Sequence, residues 1–496
     1  MTDLLLGIDI GTSSSKGVLA TPDGRVVATA VRPHALSMPR PGWAEHDAEA
    51  TWWGDAVSIA RELVGGGHGR VAAVCASGIG PAVLPVDAAG AALRPAILYG
   101  IDTRAMAEVA ELDERFGEAE ILARGGTALS SQAGGAKLAW LRRHEPDVWA
   151  RTARFHMANS LIIERLTGEY VLDHHSASQM DPLYDMRTAA WADDWVADVV
   201  PGVEFPRLAW SDEVVGRVHE AGAAATGIPR GTPVVAGTID AWAEALSAGV
   251  RDPGDAMLMY GTTMFIVEVT TEFAPEPTIW STQGVFEGSP TYAAGLSTSG
   301  GLTVWFRDLV DRGFETLIDE AAATPPGSDG LVVLPFFATA RSPIFDPDAR
   351  GAVLGLTLAH GRGHLYRALL EGAAYEVRHN LEVMASAGLA PRRLVAVGGG
   401  TKSSLWTQIV TDVTGVAQVI PETTIGASYG DALLAGLGTG LVARDSRWNA
   451  PAATLEPDRS STERYAELYG VYRELYPATR DLAHTTARVQ SETARA

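Results

Sequence analysis

Short apolar runs that end in or next to a glycine recur along the chain, and each predicts a buried β-strand. They read LLLGIDI, VAAVCAS, TPVVAGT, AMLMYGT and RLVAVGGG. Between them lie Ala- and Leu-rich stretches with helical periodicity, such as AKLAWLRRH and GDALLAGLGTGLV. Strands that alternate with helices in this way indicate an α/β fold.

One arrangement of strands occurs twice. Residues 4–13 read as an apolar strand that runs into a Gly-Thr-Ser turn, and residues 256–263 repeat the strand with a Gly-Thr-Thr turn. A later strand that ends in glycine follows each copy, at residues 70–78 and 393–400. The repetition predicts two related α/β domains.

The turn Arg251-Asp252-Pro253-Gly254 is a natural boundary between them, because Pro and Gly favour tight turns. We therefore predict an N-terminal domain over residues 1–250 and a C-terminal domain over residues 251–445. Residues 446–496 are predicted to form a helical closing segment and a tail.

Composition and charge narrow the function. Of 496 residues, 46% are hydrophobic and 20% are charged, which is the balance of a globular protein with a sizeable core. The 60 acidic residues outnumber the 39 lysines and arginines, so the net charge is −21. Such a surface repels nucleic-acid phosphates and anionic lipids, and we expect neither a nucleic acid nor a membrane as a partner.

Cysteine use and the first residues indicate a compartment. Cys75 is the single cysteine, so it forms no internal disulfide and builds no thiolate metal site alone. The first residues carry no basic leader, and no apolar run reaches the length that crosses a bilayer. A cytoplasmic protein is expected.

The turn Gly11-Thr12-Ser13 is a candidate anion site, because successive backbone N–H groups there meet little steric cover. Asp9 lies just before it on the strand, and a buried carboxylate needs a partner, for which Mg²⁺ is suitable. Lys16 follows and could reach a terminal phosphate. The alternative is an ordinary β-hairpin.

The second copy of the turn favours a nucleotide. Gly261-Thr262-Thr263 would supply a matching turn, and the glycines at 398–400 suit the close approach of a base and ribose. The P-loop pattern, G-x-G-x-x-G and H-R-D are all absent from the sequence. The segment GASYG at residues 426–430 fits the nucleophile elbow of α/β-hydrolases, but no histidine follows it before His484.

Asp240 follows an apolar strand and the turn Gly237-Thr238-Ile239, and it precedes a helix-like segment. Two interpretations stay open. Asp240 is either a helix N-cap or the carboxylate that accepts the proton of an attacking hydroxyl in phosphoryl transfer.

Several motifs in register resemble the FGGY family of carbohydrate kinases, especially its xylulokinase-like branch, over nearly the whole chain. The motifs are GIDIGTSSSKG (7–17), PGWAEHDAEATWW (41–53), RPAILYGIDTRA (94–105), AKLAWLRRHEP (136–146), GTIDAWAEALSAG (237–249), YGTT (260–263), VGGGTKSSLW (397–406), DVTG (412–415) and GAVLGLTLAHGRGHLYRALLEG (351–372).

The resemblance implies two actin-like (ribonuclease H-like) ATPase domains with an interdomain cleft, and ATP and Mg²⁺ as cofactors. It implies that Asp240 is the general base, that Asp9 and Asp240 hold the metal, and that small sugars are substrates. The implied nucleotide contacts are Gly11, Thr12, Ser13, Lys16, Gly261, Thr262, Thr263, Gly399, Gly400, Lys402 and Ser403. A homodimer is one option for the assembly.

Departures from the family pattern concern the sugar. Where xylulokinases carry a Met-His pair, this chain has Ser77-Gly78-Ile79-Gly80-Pro81, so D-xylulose loses support. Ala241 and Trp242 follow the expected base, and the segment 99–104 is one residue longer than usual. The predicted sugar contacts are Gly80, Pro81, Tyr99, Asp102, Arg104, Asp240 and Trp242.

We therefore expect an ATP-dependent kinase of a small sugar, with a ketopentose such as xylulose or ribulose as substrate. A tetrulose, a polyol, a deoxy sugar or a non-sugar signalling molecule is the alternative acceptor. An interpretation of another class is a non-catalytic actin-like nucleotide switch.

Overall fold

The computed structural model describes residues 2–495, with side chains to residue 492. Its strands are β1 (Asp3–Ile10), β2 (Ser14–Ala20), β3 (Val26–Pro33), β4 (Glu45–His46), β5 (Arg70–Gly78), β6 (Leu84–Val86), β7 (Ala96–Ile97), β8 (Arg154–His156), β9 (Val171–Asp173), β10 (Tyr184–Asp185), β11 (Ala190–Trp191), β12 (Arg207–Ala209), β13 (Val214–Arg217), β14 (Pro233–Val235), β15 (Asp255–Tyr260), β16 (Met264–Val269), β17 (Trp280–Thr282), β18 (Thr291–Leu296), β19 (Val332–Leu334), β20 (Ala352–Leu354), β21 (Arg393–Val397), β22 (Gln418–Pro421) and β23 (Pro451–Leu455).

Helices connect most of these strands. They are α1 (Gly54–Gly65), α2 (Met106–Phe116), α3 (Glu118–Gly125), α4 (Gly134–His144), α5 (Pro146–Trp149), α6 (Ala158–Thr167), α7 (His174–Ser178), α8 (Asp193–Val199), α9 (Glu220–Thr226), α10 (Asp240–Ser247), α11 (Gly300–Val310), α12 (Phe314–Ala322), α13 (Arg362–Ser386), α14 (Ser404–Thr414), α15 (Ala427–Gly438) and α16 (Thr462–Arg495). A π-helical segment, Ala48–Trp53, leads into α1, and short 3₁₀ segments lie at Ser328–Gly330 and Gly399–Lys402. Within residues 2–495 no helix is both long enough and apolar enough to span a membrane.

The chain packs into two compact units. Unit 1 contains the chain up to Arg251 together with Thr270–Thr291 and Ile425–Asn449. Unit 2 contains Asp252–Val269, Tyr292–Thr424 and the chain from Ala450 onward. The predicted domains differ from these units, because residues 270–291 and 425–445 of the predicted C-terminal domain and residues 446–449 of the predicted closing segment all belong to unit 1. Within the second of these segments, α15 belongs to unit 1 because this apolar helix packs on β1 and β5.

The main sheet of unit 1 has the strand order β13-β14-β5-β1-β2-β3. Strands β1 and β5 run parallel, whereas β1 and β2 form an antiparallel hairpin around the Gly-Thr-Ser turn. Because neighbouring residues of a strand point to opposite faces, β1 is buried on both sides from Leu4 to Ile10. Helix α15 covers one face and α1 the other.

Unit 2 repeats this plan. Strands β15 and β16 form an antiparallel hairpin, and β21 runs parallel beside β15 as β5 does beside β1. Even the first residue pair matches: Asp3 and Arg70 form an ion pair at the start of β1 and β5, and Asp255 and Arg393 do so at the start of β15 and β21. The predicted internal repeat is confirmed in the strand pairing.

Helices α13 and α16 belong to unit 2. Arg367 on α13 donates to Glu371 one turn later and to the hydroxyl oxygen of Tyr465 on α16, and all three residues are buried. The predicted C-terminal helical segment is therefore a packed element of this unit along α16. Residue 496 of that prediction lies outside the described residues.

Candidate active site

Asp9 lies near the carboxyl end of β1, between Lys16 on β2 and Ser77 on β5, with which it is in register. The residue is only 6% exposed, and its Oδ1 has no hydrogen-bond partner among the described atoms. Burial raises the pKa of Asp9 well above its usual value, and the charge of Asp240 adds to the shift. A carboxylate with an unpartnered buried oxygen is well suited to bind a cation.

Asp240 is the first residue of α10. The glycine that starts the preceding turn, Gly237, has φ +67°, and a Cβ there would lie 1.9 Å from the carbonyl oxygen of Ala76. Only glycine therefore allows the chain to leave β14 close against β5 and begin α10 at Asp240.

The carboxylate of Asp240 accepts a hydrogen bond from the Ala241 N–H at 2.7 Å, as expected of an acid at a helix N-terminus. Burial raises the pKa of Asp240 to about 7. Asp240 is not the predicted N-cap, because Ile239 holds that position and Asp240 is the first residue of the helix, with a half-buried side chain.

A second acid, Glu244, lies one turn further along α10. Burial also raises the pKa of Glu244. Lys16 lowers the pKa of Asp9, Asp240 and Glu244, so all three carboxylates lie within its electrostatic reach. Glu244 was not predicted as a site residue, although its spacing of four from Asp240 places it on the same helix face.

Behind Asp9 lies another buried carboxylate, Asp431 on α15. Ser77 donates its hydroxyl hydrogen to Asp431 Oδ2 at 2.7 Å, and burial raises the pKa of Asp431 well above its usual value, with Asp9 as a further cause. Asp431 was not predicted, because nothing in the local sequence shows that α15 returns to β5.

The segment 426–430, which fits a nucleophile-elbow pattern, has a packing role. Ser428 is fully buried, and a Cβ on Gly430 would lie 1.9 Å from the Ala243 carbonyl oxygen of α10. Its glycine lets α15 pack closely on the helix that begins with Asp240.

The Gly11-Thr12-Ser13 turn joins β1 and β2, next to Asp9. Gly11 N–H donates to the Ser14 carbonyl oxygen at 3.2 Å, which closes the turn. The Tyr99 hydroxyl lies 3.4 Å from Thr12 Oγ1. A residue predicted to contact the sugar therefore lies next to one predicted to contact the nucleotide phosphates.

The donor set fits Mg²⁺. Among the described residues, no group of three or more His, Cys, Asp or Glu side chains is arranged to hold a metal ion. Mg²⁺ needs no such cage, because it is commonly bound by one or two carboxylates together with phosphate oxygens and water. The unpartnered oxygen of Asp9, with Asp240 close enough to raise its pKa, provides carboxylates of that kind.

Gly80 and Pro81 follow β5 and lie beside this cluster. The preceding residue, Ile79, donates its N–H to the Ile10 carbonyl oxygen at 2.7 Å, and Gly78 pairs with Ile239. Gly80 and Pro81 are therefore held between the end of β1 and the residue before Asp240.

Asp102 and Arg104 bind each other instead of facing solvent. Their side chains have no exposed surface, and the Arg104 guanidinium donates to both carboxylate oxygens of Asp102. Asp102 Oδ2 also accepts from the Ala44 N–H at 2.7 Å, and Arg104 pairs with Glu45. The expectation that these two side chains contact the sugar has no support in this arrangement, because burial and pairing use up their polar groups.

Trp242 is 5% exposed and packs its ring on His175. Its Nε1–H donates to Thr291 Oγ1 at 2.8 Å. The indole is thus anchored behind Asp240 within unit 1, and its polar atom is already used.

In unit 2, the corresponding turn is built on Gly261, Thr262 and Thr263. The N–H groups of Gly300 and Gly301, at the start of α11, donate to the Gly261 and Thr262 carbonyl oxygens at 3.1 and 2.9 Å. The turn is therefore supported from behind by the first residues of a helix.

The second glycine cluster of unit 2 follows β21. Gly399 is exposed, and Gly400 packs so closely on Tyr260 that a Cβ would lie 2.8 Å from that side chain. Lys402 is exposed, and Ser403 caps α14 by accepting from the Trp406 N–H. These four predicted nucleotide residues share one short segment next to β15.

Comparison with known proteins agrees with this arrangement. Residues 4–247 match the N-terminal domain of the FGGY family of carbohydrate kinases, and residues 256–439 match its C-terminal domain. The xylulose kinase of Bacillus subtilis (strain 168) is 27% identical over 96% of this chain and 97% of its own length. The glycerol kinase of Nocardia farcinica is 30% identical over 94% and 97%.

A solved structure is similar along its full length. The crystal structure of xylulose kinase from Rhodospirillum rubrum superposes with a TM-score of 0.90 at 33% identity, covering 97% of this chain and 100% of that one. The predicted α/β fold with two related domains is confirmed by these matches.

Proposed function

This chain belongs to the FGGY family of carbohydrate kinases and is an ATP-dependent sugar kinase, and we propose that it phosphorylates a hydroxyl of a ketopentose such as xylulose or ribulose. Members of this family use ATP, generally with Mg²⁺, and transfer phosphate to an alcohol group. The observation that carries the proposal is the Asp240 carboxylate, with its pKa raised to about 7, next to Asp9 and Lys16.

In the proposed reaction, the oxygen of the sugar hydroxyl attacks the γ-phosphorus in line, and ADP leaves. Asp240 accepts the proton of that hydroxyl as the attack proceeds. Asp9 and Asp240 would hold Mg²⁺, which would supply charge neutralisation at the phosphate oxygens. Lys16 and the N–H groups of the 11–13 turn would bind the transferred phosphoryl group.

The remaining nucleotide residues are assigned to unit 2. We assign the 261–263 turn to phosphate, and Gly399, Gly400, Lys402 and Ser403 to the nucleoside. The support is the repeated hairpin, in which the 261–263 turn joins β15 to β16 as the 11–13 turn joins β1 to β2.

The support for a ketopentose is the group of relatives named xylulose kinase, at 27% and 33% identity. The stretch 77–81, which lacks the Met-His pair that xylulokinases carry, weighs against D-xylulose itself and leaves ribulose in place. Tyr99 is the polar side chain assigned to the sugar, because its hydroxyl reaches Thr12.

A polyol is a second candidate acceptor. The relative that supports it is the glycerol kinase of Nocardia farcinica, at 30% identity. Tetruloses, deoxy sugars and non-sugar signalling molecules complete the set of acceptors to be tested.

Coupled ADP release with Mg²⁺-ATP, measured against pentuloses, tetruloses, deoxy sugars and polyols, tests the proposal. One pentulose should stimulate release strongly, and Asp240→Asn should lower that turnover by about a hundredfold or more while nucleotide affinity stays near wild type. Thermal unfolding of the variant shows whether it is folded.

Retained turnover in Asp240→Asn would remove Asp240 from the role of base. Stimulation by a polyol alone would replace the ketopentose. Nucleotide binding with no response to any acceptor would favour the non-catalytic switch.

A further inference from the structure

The carbonyl oxygens of the 11–13 turn and of Ser14, which follows it, each have a hydrogen-bonding partner in the protein. The Gly11 and Thr12 oxygens contact histidine side chains, with His34 Nε2 at 3.0 Å and His46 Nε2 at 3.1 Å. The Ser13 oxygen accepts from the His34 backbone N–H at 3.0 Å, and the Ser14 oxygen accepts from Gly11 N–H.

These bonds set the direction of the N–H groups. In a planar trans peptide, the carbonyl oxygen and the N–H of the next residue point in opposite directions. A contact that holds the Gly11 carbonyl oxygen therefore fixes the direction of the Thr12 N–H. In the same way, a contact that holds the Thr12 carbonyl oxygen fixes the direction of the Ser13 N–H. The structure gives neither N–H an acceptor among the described residues, so both remain for an anion.

The ring of His46 has one defined tautomer. Trp52 donates its Nε1–H to His46 Nδ1 at 3.2 Å, and an indole nitrogen only donates. His46 Nδ1 is therefore the acceptor, and Nε2 carries the hydrogen that is donated to the Thr12 oxygen. Burial lowers the pKa of His46 to about 4, in keeping with a neutral ring. Both residues are buried, with exposed fractions of 0% and 1%.

His34 is held between two acceptors. Its Nδ1 lies 2.9 Å from Asp55 Oδ2, and its Nε2 faces the Gly11 oxygen. Ser15 Oγ donates to the same carboxylate oxygen at 2.8 Å, so Asp55 is fixed in turn by β2. The two histidine rings meet edge to face at 5.1 Å, which joins both supports into one unit behind the turn.

We propose that His34 and His46 are positioning residues for the nucleotide phosphates, because they hold the Gly11 and Thr12 carbonyl oxygens and so turn the Thr12 and Ser13 N–H groups toward the phosphate. Neither histidine touches the reacting atoms. The inference rests on the proposed function in one respect, since it takes this turn to be a phosphate site.

The test compares two variants of His46. His46→Leu removes the donor to the Thr12 oxygen, whereas His46→Gln keeps an N–H group that can reach it. Calorimetry with Mg²⁺ and a non-hydrolysable ATP analogue should show about fivefold weaker binding or more for the leucine variant, the effect of one lost hydrogen bond, and recovery of most of that loss for the glutamine variant. The KM for ATP should rise in parallel, while the KM for the sugar stays within about twofold.

His156 supplies the matched control. It is also a fully buried histidine of unit 1, but its Nδ1 contacts Ser160 Oγ at 3.1 Å and its Nε2 lies 2.9 Å from Glu164 Oε2, away from the turn. His156→Leu should lower the thermal unfolding midpoint as much as His46→Leu does, yet leave the affinity for the nucleotide analogue unchanged.

Three results would overturn the inference. They are unchanged analogue affinity in folded His46→Leu, equal losses for the leucine and glutamine variants, and an equal loss for His156→Leu. A wild-type protein that binds the analogue but phosphorylates no sugar would defeat the proposed function alone, because the binding comparison would still stand. A wild-type protein that does not bind the analogue would defeat both.

Discussion

Ser77 on β5 donates its hydroxyl hydrogen to Asp431 Oδ2 on α15 at 2.7 Å, and both residues are fully buried. Ser77 is also the residue that lies in register with Asp9 on β1. A helix that returns to unit 1 late in the sequence is thereby tied to the strand beside the proposed metal ligand. This buried hydrogen bond holds β5 in place next to Asp9.

Removal of the Asp431 carboxyl group should destabilise unit 1 through Ser77. Asp431→Ala leaves the buried Ser77 hydroxyl without its acceptor, which costs about 1–3 kcal/mol. Asp431→Asn keeps an oxygen that accepts this bond and should stay closer to wild type. Thermal unfolding of the two variants measures the difference, and equal midpoints would show that the bond contributes little.

A methyl group at Gly7 should disrupt the contact between β1 and α15. A Cβ there would lie 1.9 Å from the Ser428 carbonyl oxygen and 2.5 Å from the Ala432 nitrogen, and both are backbone atoms that cannot rotate away. Gly7→Ala should therefore lose about 3 kcal/mol or more of stability.

Gly65→Ala is the matched control for Gly7→Ala, because Gly65 ends α1 and a Cβ there meets nothing within 4 Å. It should be neutral or slightly stabilising, since alanine is the better helix former. Thermal unfolding of both variants checks the pair, and a wild-type midpoint for Gly7→Ala would contradict the close packing.

Much of the fold could be predicted because strand, turn and repeat are local patterns. The apolar run before Asp9 has the length of a buried strand. A second copy of this pattern before Gly261 predicts two related domains. The position of residues 425–445 could not be predicted, because an apolar helix can pack on either of two similar sheets. Which one it covers depends on close contacts such as that of Gly7 with Ser428.

The site was predictable only where a motif carried it. Asp102 and Arg104 occur in a segment typical of a sugar kinase, but the sequence does not show that the Ala44 N–H and Glu45 meet them from another segment. His34 and His46 were missed for the same reason, since each acts on the turn through a contact that is distant in sequence. Long-range hydrogen bonds, unlike strand periodicity, leave no local signal.

Loss of the Lys16 charge should weaken catalysis through the carboxylates that surround it. Lys16 lies in register with Asp9. Its positive charge opposes the rise in pKa that burial causes in Asp9, Asp240 and Glu244. Without the cation, the proposed site carries uncompensated negative charge where the phosphates must bind. Lys16→Met should therefore lower kcat/KM for ATP by about 10- to 100-fold, the range for one charged hydrogen bond.

Lys16→Arg provides the comparison, because it keeps the charge and changes only its shape. It should retain more kcat/KM for ATP than Lys16→Met, while both variants unfold at similar temperatures. If the two variants lose equal activity, the position of the ammonium group matters and its charge alone does not.

Lys137 on α4 should make the stability of the protein depend on pH. It is buried at 1% exposure, its Nζ donates to the Ser131 carbonyl oxygen, and burial lowers the pKa of Lys137 to about 7. In the unfolded chain a lysine titrates near pH 10.5. Between these two values the unfolded state binds a proton that the folded state does not, so stability rises with pH across this window.

The comparison that isolates Lys137 is with Lys137→Met, which keeps the volume of the side chain and removes the titration. From pH 7 to pH 9 the stability of wild type relative to this variant should rise by up to about 1.4 kcal/mol per pH unit. Thermal unfolding midpoints of both proteins at pH 7, 8 and 9 measure the trend. A difference that stays constant with pH would mean that Lys137 keeps its proton in the folded protein, held by the neighbouring charge of Asp102, which opposes the effect of burial.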